Sequence, residues 1–430
     1  MNQWSEPGRE LPVVSHADVV VCGAGPAGVT AAIAAARTGA STVLIEAHGA
    51  LGGVWTSSLL SHIIDADNKP GIMAEILDRL KQRNAQVSPV DYDVESMKLV
   101  LERLCLEAGV QVRLHSRVVA AGRDDANRLA VAITESKSGR EAWAGRVFID
   151  ATGDGDLASV AGCGFDLGRD SDGKAQPMTL MALIGGLDAA ELDAAGLLRK
   201  PGKGTGDVKQ RILEQMEHAG VSPSYTAPTL FHIRDDLYAM MANHQYGVPC
   251  HDADAITRAT LEAREELNHL VDALRAVGGP WRAMRIVATA EQIGVREGRR
   301  IRGRYTLTQD DLVRGARFDD AVCRATFCVD VHAVDPSQSR SYSSEGVRAK
   351  PYDIPLRSLI ARDVDGLMMA GRCISGDFIA HSSYRVTGNA VAMGQAAGRV
   401  AARAAQTNRL PHDVRWQEVA GELATTSADS

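Results

Sequence analysis

DVVVCGAGPAGVTAAIAAARTGASTVLIE, residues 18–46, reads as strand, glycine-rich turn, helix and second strand. DVVVC (18–22) is a short apolar run, the alanine-rich run from Pro26 to Thr38 is helical, and STVLIE (41–46) is the strand that closes a βαβ unit. Gly23, Gly25 and Gly28 form G-x-G-x-x-G between the first strand and the helix. Gly23 permits the tight turn, Gly25 lets backbone approach a pyrophosphate, and Gly28 lets helix and strand pack closely. Pro26 and Ala27 open the helix, whose unpaired N–H groups and positive dipole end face the phosphates. Glu46, with Ala47 after it, ends the second strand eighteen residues past Gly28. A carboxylate there accepts hydrogen bonds from ribose hydroxyls and disfavours a 2′-phosphate. With strand, turn, helix and acidic terminus in register, the motif predicts an adenine dinucleotide site rather than an empty turn.

Outward from this unit, ordered structure is expected from about Asp18. DVESMKLVLERLCLEAGV (93–110) is an amphipathic helix with Gly109 at its C-cap, followed by β-like runs at 111–120, 129–135 and 143–151. From 165 to 345 the periodicity changes. Helix dominates there, most clearly over 252–279, with β-rich segments near 298–308 and 324–332. GLMMAG (366–371) is a buried strand, residues 388–405 a small-residue helix, and the chain past Asn408 a polar tail that frays. The predicted class is α/β: a Rossmann-like domain over 1–164 and 346–410, an inserted α+β substrate lobe over 165–345, and a flexible tail over 411–430.

With 45% hydrophobic and 23% charged residues the composition is that of a globular protein, and a net charge of −7 argues against a general nucleic-acid binder. Seven scattered cysteines suit reduced thiols better than a disulfide framework. The first fifteen residues lack a signal-peptide layout, and no run of 18 apolar residues occurs. These features predict a cytoplasmic protein with no membrane partner and no nucleic acid. The expected partners are a small-molecule substrate and, in a homo-oligomer, further copies of the chain. Asp154 and Asp156 offer too few converging oxygens for a cation, and His244, Cys250 and His251 match no zinc spacing, so no metal site is expected and the latter three read as loop residues.

Further segments select among dinucleotides. HGALGGVWTSS (48–58) carries Gly52 and Gly53, and RVFIDATGDGDLA (146–158) ends a strand in Ala151, Thr152 and Gly153. GLMMAGRCISGD (366–377) follows late in the chain, as do IGVREGRRIRGRYTLT (293–308), CVDVHAVD (328–335), YDIPLRSLI (352–360) and HSSYRVTGNAVAMGQAAG (381–398). Together these resemble the FAD-dependent oxidoreductases related to the flavoprotein subunits of fumarate reductase and succinate dehydrogenase, with the glutathione-reductase type of FAD fold. The resemblance implies FAD as cofactor, with Val118 and the Ala151–Gly153 segment toward the adenosine end. It places Gly371, Asp377, Gly388, Asn389 and Ala390 toward the flavin. Arg372 stands where the family usually has an acid. Fumarate reductases carry His-x-x-x-Arg-x-x-Gly-Asn before the last helix, and His381, Arg385, Gly388 and Asn389 keep that spacing. In the relatives this His and Arg grip a substrate carboxylate. The HYxxGG segment of the fumarate reductases is missing, which argues against fumarate reduction itself.

His332 reads equally as a general base or as a strand histidine bonded to Asp330 or Asp335. Arginines 296, 299, 300, 302 and 304 read mostly as a solvated strand face, and Cys373 as a buried, inert thiol. The flavin is expected to be non-covalent, because the only histidine near the segment after Gly53 is His62, several residues late for tethering. The expectation is an enzyme transferring a hydride between a small, anionic organic substrate and flavin N5, with His332, His381 and Arg385 as catalytic residues. The alternatives are a monooxygenase using NAD(P)H and oxygen, and a binding protein with a structural or sensing flavin.

Overall fold

The computed structural model describes residue 4 and residues 6–199 and 206–421. Its main sheet has seven strands. Across the sheet the order is Gln111–Arg113, Thr42–Ile45, Val13–Cys22, Gly139–Asp150, Leu129–Ser136 and Arg117–Arg123. The seventh strand, Leu367–Met369, lies parallel to the end of Gly139–Asp150. The register aligns Cys22 with both Ile45 and Asp150, and Asp150 with Met369, so four parallel strands end along one line. A ligand crevice belongs outside such a row of carboxyl ends.

The apolar run ahead of the fingerprint is fully buried, Val19 through Cys22 at 0% exposure, as expected for a strand covered on both faces. The fingerprint helix, Pro26–Arg37, packs along the closing helix, Thr387–Gln406. That contact rests on glycine. A Cβ on Gly394 would stand 2.1 Å from the Ala27 carbonyl oxygen, and one on Gly398 2.1 Å from that of Ala31.

A second core has its own antiparallel sheet, ordered Arg285–Thr289, Ala182–Gly185, Leu237–Met241, Thr229–Arg234. The long helix Ala253–Val277 packs against the edge strand Arg285–Thr289. Asp252 caps this helix, accepting from the Ala255 N–H at 2.9 Å, and a stripe of Ala255, Ala259, Ala263, Leu267 and Leu274 is buried.

Several expectations are corrected. Pairing begins at Val13, not Asp18, because the first strand extends outward along Ala142–Trp143. The run 111–120 is two strands, broken at His115, which sits at φ +53°. The β-rich readings of 298–308 and 324–332 reduce to short pieces, Arg300–Ile301 and Val331–His332, beside the strand Ala321–Ala325. The second core draws on residues 178–293 with Leu59 and Val94, whereas Ile301, Leu307, Val331 and Tyr352 join the first. The inserted apolar mass therefore ends well before 345. The chain from 411 to 421 does not fray: Val414, Trp416 and Val419 are buried against the first core, an apolar set hidden among polar neighbours. Residues 422–430 lie outside the described residues.

Candidate functional site

A cavity of about 1170 Å³ runs from the carboxyl ends of the parallel strands to the second lobe. At one end lies the fingerprint. Gly25 caps the helix with no side-chain hydrogen bond, at φ −66°, and a Cβ placed on it would meet no atom within 4 Å. Gly28 is off the wall, where its added Cβ would stand 1.8 Å from the Gly23 carbonyl oxygen. One glycine thus opens space and the other closes a packing contact. Gly23, Pro26 and Ala27 join Gly25 in the wall. Gly52, at φ +109°, lies behind the wall and donates its N–H to Ala24 O at 2.7 Å. That brings Gly53 against Gly25, so close that a Cβ would sit 2.9 Å from Gly25 Cα.

Glu46 is 6% exposed and lines the cavity with Ala47. Its carboxylate accepts from the Ala24 N–H at 2.6 Å and the His48 N–H at 2.9 Å, which fixes it beside the turn. Val118, Ala151, Thr152 and Gly153 form the facing wall. The buried Asp150 holds that turn by accepting from the Thr152 hydroxyl at 2.7 Å and the Ala158 N–H at 2.8 Å. Open space at Gly25, an uncapped helix N-terminus and a fixed carboxylate fit an adenine dinucleotide, and the cavity continues past Gly371 and Ala390 with room for a ring system.

The cavity then meets a polar cluster. Arg296, Arg385, Asp330, His332 and Tyr225 all form its wall. Arg385 donates to the Asp330 carbonyl at 2.8 Å, and its guanidinium lies 3.7 Å from Asp330 Oδ2. Arg296 donates to neutral acceptors, Pro177 O at 2.8 Å and Thr179 Oγ1 at 2.7 Å. Burial, then the neighbouring Arg385, pulls Arg296 down to about 10. Burial raises the Asp330 carboxyl, but the hydrogen bond with His332 and the charges of His332, Arg385 and Arg296 win, leaving it well below the usual carboxylate range. Burial, then Arg296, pulls His332 down to about 3 despite Asp330 beside it.

Four predicted residues of the flavin end fall elsewhere. His381 is fully buried off the wall, its ring edge-on to Tyr384, with neither ring nitrogen hydrogen-bonded to protein. It does not join Arg385 on the cavity, because it lies inside the short helix Phe378–Tyr384 and packs into the core. Asp377 lies off the cavity wall and caps that helix, accepting from the Ala380 N–H at 2.7 Å and the Gln309 N–H at 2.6 Å. Gly388 and Asn389 also lie behind the wall. Gly388 permits contact with the chain at Asp65, whose carbonyl oxygen would be 2.1 Å from a Cβ there. Val386, Thr387 and Ala390 present the helix start to the cavity instead.

The arginine run is not one solvated face. Arg296 and Arg299 line the cavity, while Arg300 is 1% exposed and pairs with Glu297. Arg302 and Arg304 are the more exposed members. Arg372, at the family's acidic position, pairs with Asp154 at 2.7 Å and donates to Gly153 O at 3.1 Å, tying the last strand's loop to the ATG turn. His244 is a loop residue, as the sequence predicts, but a buried one. It is buried against Tyr225 (centroids 4.1 Å apart), and its Nε2 lies 3.0 Å from His332 Nδ1. The available signal was the polar triplet Asn243–His244–Gln245, buried directly after an apolar strand.

Two expected results follow from these surroundings. His62 reaches the cavity, but its Nδ1 is held 2.7 Å from Asp91, and Cys373 is buried with its thiol pKa raised by burial. Neither is a free nucleophile toward a flavin, so acid precipitation should leave the yellow colour in the supernatant; colour retained in the pellet would contradict this. The second result concerns pH. His332 titrates near 6.5 when unfolded and about 3 when folded, and His244 and His381 are likewise lowered by burial. Between those values the unfolded chain binds more protons, so stability rises with pH and is lost on acidification below about 6.5. Urea unfolding should show a larger loss from pH 7 to pH 5 for the parent than for His332→Asn. Equal losses would remove His332 from the account.

No metal-holding group of three or more His, Cys, Asp or Glu residues is found among the described residues, and none of their helices is long and apolar enough to cross a membrane. Residues 18–423 match the profile of a family described as FAD dependent oxidoreductase. No curated protein matches the chain. Among solved structures, the chain is similar to a geranylgeranyl bacteriochlorophyll reductase-like protein of Thermoplasma acidophilum, at 15% identity and TM-score 0.48, over 92% of this chain and 80% of that one. It is also similar to a myxobacterial chondrochloren halogenase, at 14% identity and TM-score 0.47, over 95% and 78%. A third is p-nitrophenol 4-monooxygenase of Pseudomonas putida, at 11% identity and TM-score 0.46, over 95% and 84%.

Proposed function

Because the chain belongs to the FAD dependent oxidoreductase family, and is therefore a flavoenzyme, we propose that it oxidises or reduces a small organic anion held at the polar end of its cavity. FAD, when bound, supplies the two-electron chemistry by exchanging a hydride with the substrate. Gly23, Gly25 and the amides of the fingerprint helix would hold its pyrophosphate, Glu46 its ribose, and Val386, Thr387 and Ala390 at the start of the closing helix would line the space for its ring system.

One observation carries the anionic substrate. Two guanidiniums, Arg296 and Arg385, stand part-buried in the cavity wall; Asp330 is the carboxylate that lines the wall with them, while Glu297, which also acts on Arg385, is paired with Arg300. An uncompensated buried charge costs several kcal/mol, so an anion completes the cluster. A guanidinium also offers a planar fork matched to a carboxylate. This reading keeps the carboxylate grip suggested by the fumarate reductase resemblance, with Arg296 in place of His381 as the partner of Arg385. The proton that accompanies hydride transfer passes through the Asp330–His332 pair.

Anaerobic mixing of the FAD-loaded protein with hydroxy, amino and saturated carboxylic acids, each beside its neutral amide, tests this. Bleaching of the flavin by an acid and not its amide is the expected result. Equal bleaching by acid and amide would overturn the anionic reading. Bleaching by NADPH, followed by oxygen consumption when air is admitted, would favour a monooxygenase.

A further inference from the structure

His332 has no ring nitrogen to spare. Its Nε2 faces Asp330 Oδ2 at 3.3 Å and its Nδ1 faces His244 Nε2 at 3.0 Å. The hydrogen bonds continue: His244 Nδ1 lies 3.2 Å from the Tyr246 hydroxyl, which lies 3.1 Å from the Ser224 carbonyl oxygen. His332 and His244 are 6% and 2% exposed, whereas Tyr246 is only part-buried. At the other end Asp330 forms the cavity wall, and its Oδ1 makes no described hydrogen bond. An unbroken line of exchangeable groups therefore joins the cavity to the outside of the second lobe.

We propose that Asp330, not His332, exchanges the proton with the substrate, and that His332, His244 and Tyr246 relay it between Asp330 and solvent. The proposal rests on the substrate site described above. In the oxidising direction the substrate's acidic O–H or N–H bond breaks and an Asp330 O–H bond forms, while the electron pair of the C–H bond leaves with the hydride to FAD. With Asp330 neutral, the proton of each histidine shifts from Nε2 to Nδ1; Asp330 then gives its proton to His332 Nε2 as the Nδ1 proton of His332 moves to His244 Nε2, which restores the resting tautomers. The Nδ1 proton of His244 moves to Tyr246, and the phenolic proton leaves to water. Each member gains one proton and loses one, so no charge is left in the interior.

The chain has two hydrogen-bond polarities, and Tyr246 has a partner for each. With Asp330 ionised, every donor points inward: Tyr246 to His244, His244 to His332, His332 to the carboxylate. A hydrogen bond to a charged acceptor is stronger than the neutral bond from Tyr246 to Ser224, so the inward arrangement wins at rest. With Asp330 neutral the order reverses, and Tyr246 donates to Ser224. The groups facing Asp330 are His332, Arg385 and Arg296; burial, and after it the charges of the two arginines, keep both rings neutral by opposing a second proton.

Nitrogen NMR of FAD-loaded protein labelled in histidine reads these tautomers without any substrate. The parent at pH 7 should show His332 and His244 both protonated at Nε2. Asp330→Asn should switch His244 to the Nδ1–H form, although the two side chains do not touch. In Tyr246→Phe the same Asp330→Asn change should no longer switch it. A His244 tautomer indifferent to Asp330→Asn would overturn the relay while leaving the anion site standing. With an acid found to bleach the flavin, Asp330→Asn should cut kcat by about 10²-fold or more with FAD retained. Tyr246→Phe should lower kcat, leave KM near the parent's and change the solvent deuterium isotope effect. Parent-like kcat in Asp330→Asn would overturn Asp330 as the exchanging group. Loss of discrimination between acid and amide would strike the anion reading alone.

Discussion

Gly25→Val should yield a folded, colourless protein. The position faces open cavity, with no atom within 4 Å of an added Cβ, and its φ of −66° suits any residue. Valine is therefore tolerated by the chain, and its methyl groups occupy the space that a pyrophosphate needs. FAD recovered with the purified variant should drop to a trace, while circular dichroism and the urea midpoint stay close to those of the cofactor-free parent. Gly28→Ala is the contrasting case. Its Cβ would collide with the Gly23 carbonyl, so that variant should lose the fold along with the cofactor. A Gly25→Val protein that binds FAD like the parent would place the cofactor elsewhere.

The second large effect is at Arg385. Arg385→Lys keeps a charge but loses the fork that reaches the Asp330 and Arg296 carbonyls and the anion together. Losing one partner of a desolvated pair costs about 2–5 kcal/mol, so kcat/KM for the anionic substrate should fall by about thirtyfold or more. FAD content should remain near the parent's, since the phosphates are held at the other end of the cavity. Turnover equal to the parent's would end the carboxylate grip at this residue.

The legible part of this molecule was local. Strand, glycine turn, helix and Glu46 lie within thirty residues, and each imposes its geometry on the next. The polar end was harder because it is assembled from distant segments. His332 meets His244 across 88 positions, and Gln176 fixes the His332 backbone by accepting its N–H at 2.9 Å. No periodicity in either segment points to the other. The arginine run misled for a related reason. Its backbone is irregular rather than a long strand, so neighbouring arginines point to the cavity, to Glu297 and to solvent in turn. His381 was misplaced by the spacing of the motif, which fixes a position in sequence and leaves the facing of the helix to tertiary packing. The packed segment up to residue 421 escaped because three apolar side chains suffice to anchor a polar stretch.

The closing helix and the strand Leu367–Met369 also bear on how the protein is made. A ribosome that has released the first 160 residues has delivered the whole fingerprint, but the apolar edge Phe148–Asp150 still lacks the strand that will cover it. The Ala-rich face of Pro26–Arg37 likewise waits for a helix that begins at Thr387. Contacts so distant along the chain form slowly, and uncovered apolar edges invite association in the meantime. The nascent amino-terminal half therefore keeps apolar surface uncovered until residues 367–406 emerge, and the wall of the cofactor cavity is complete only then.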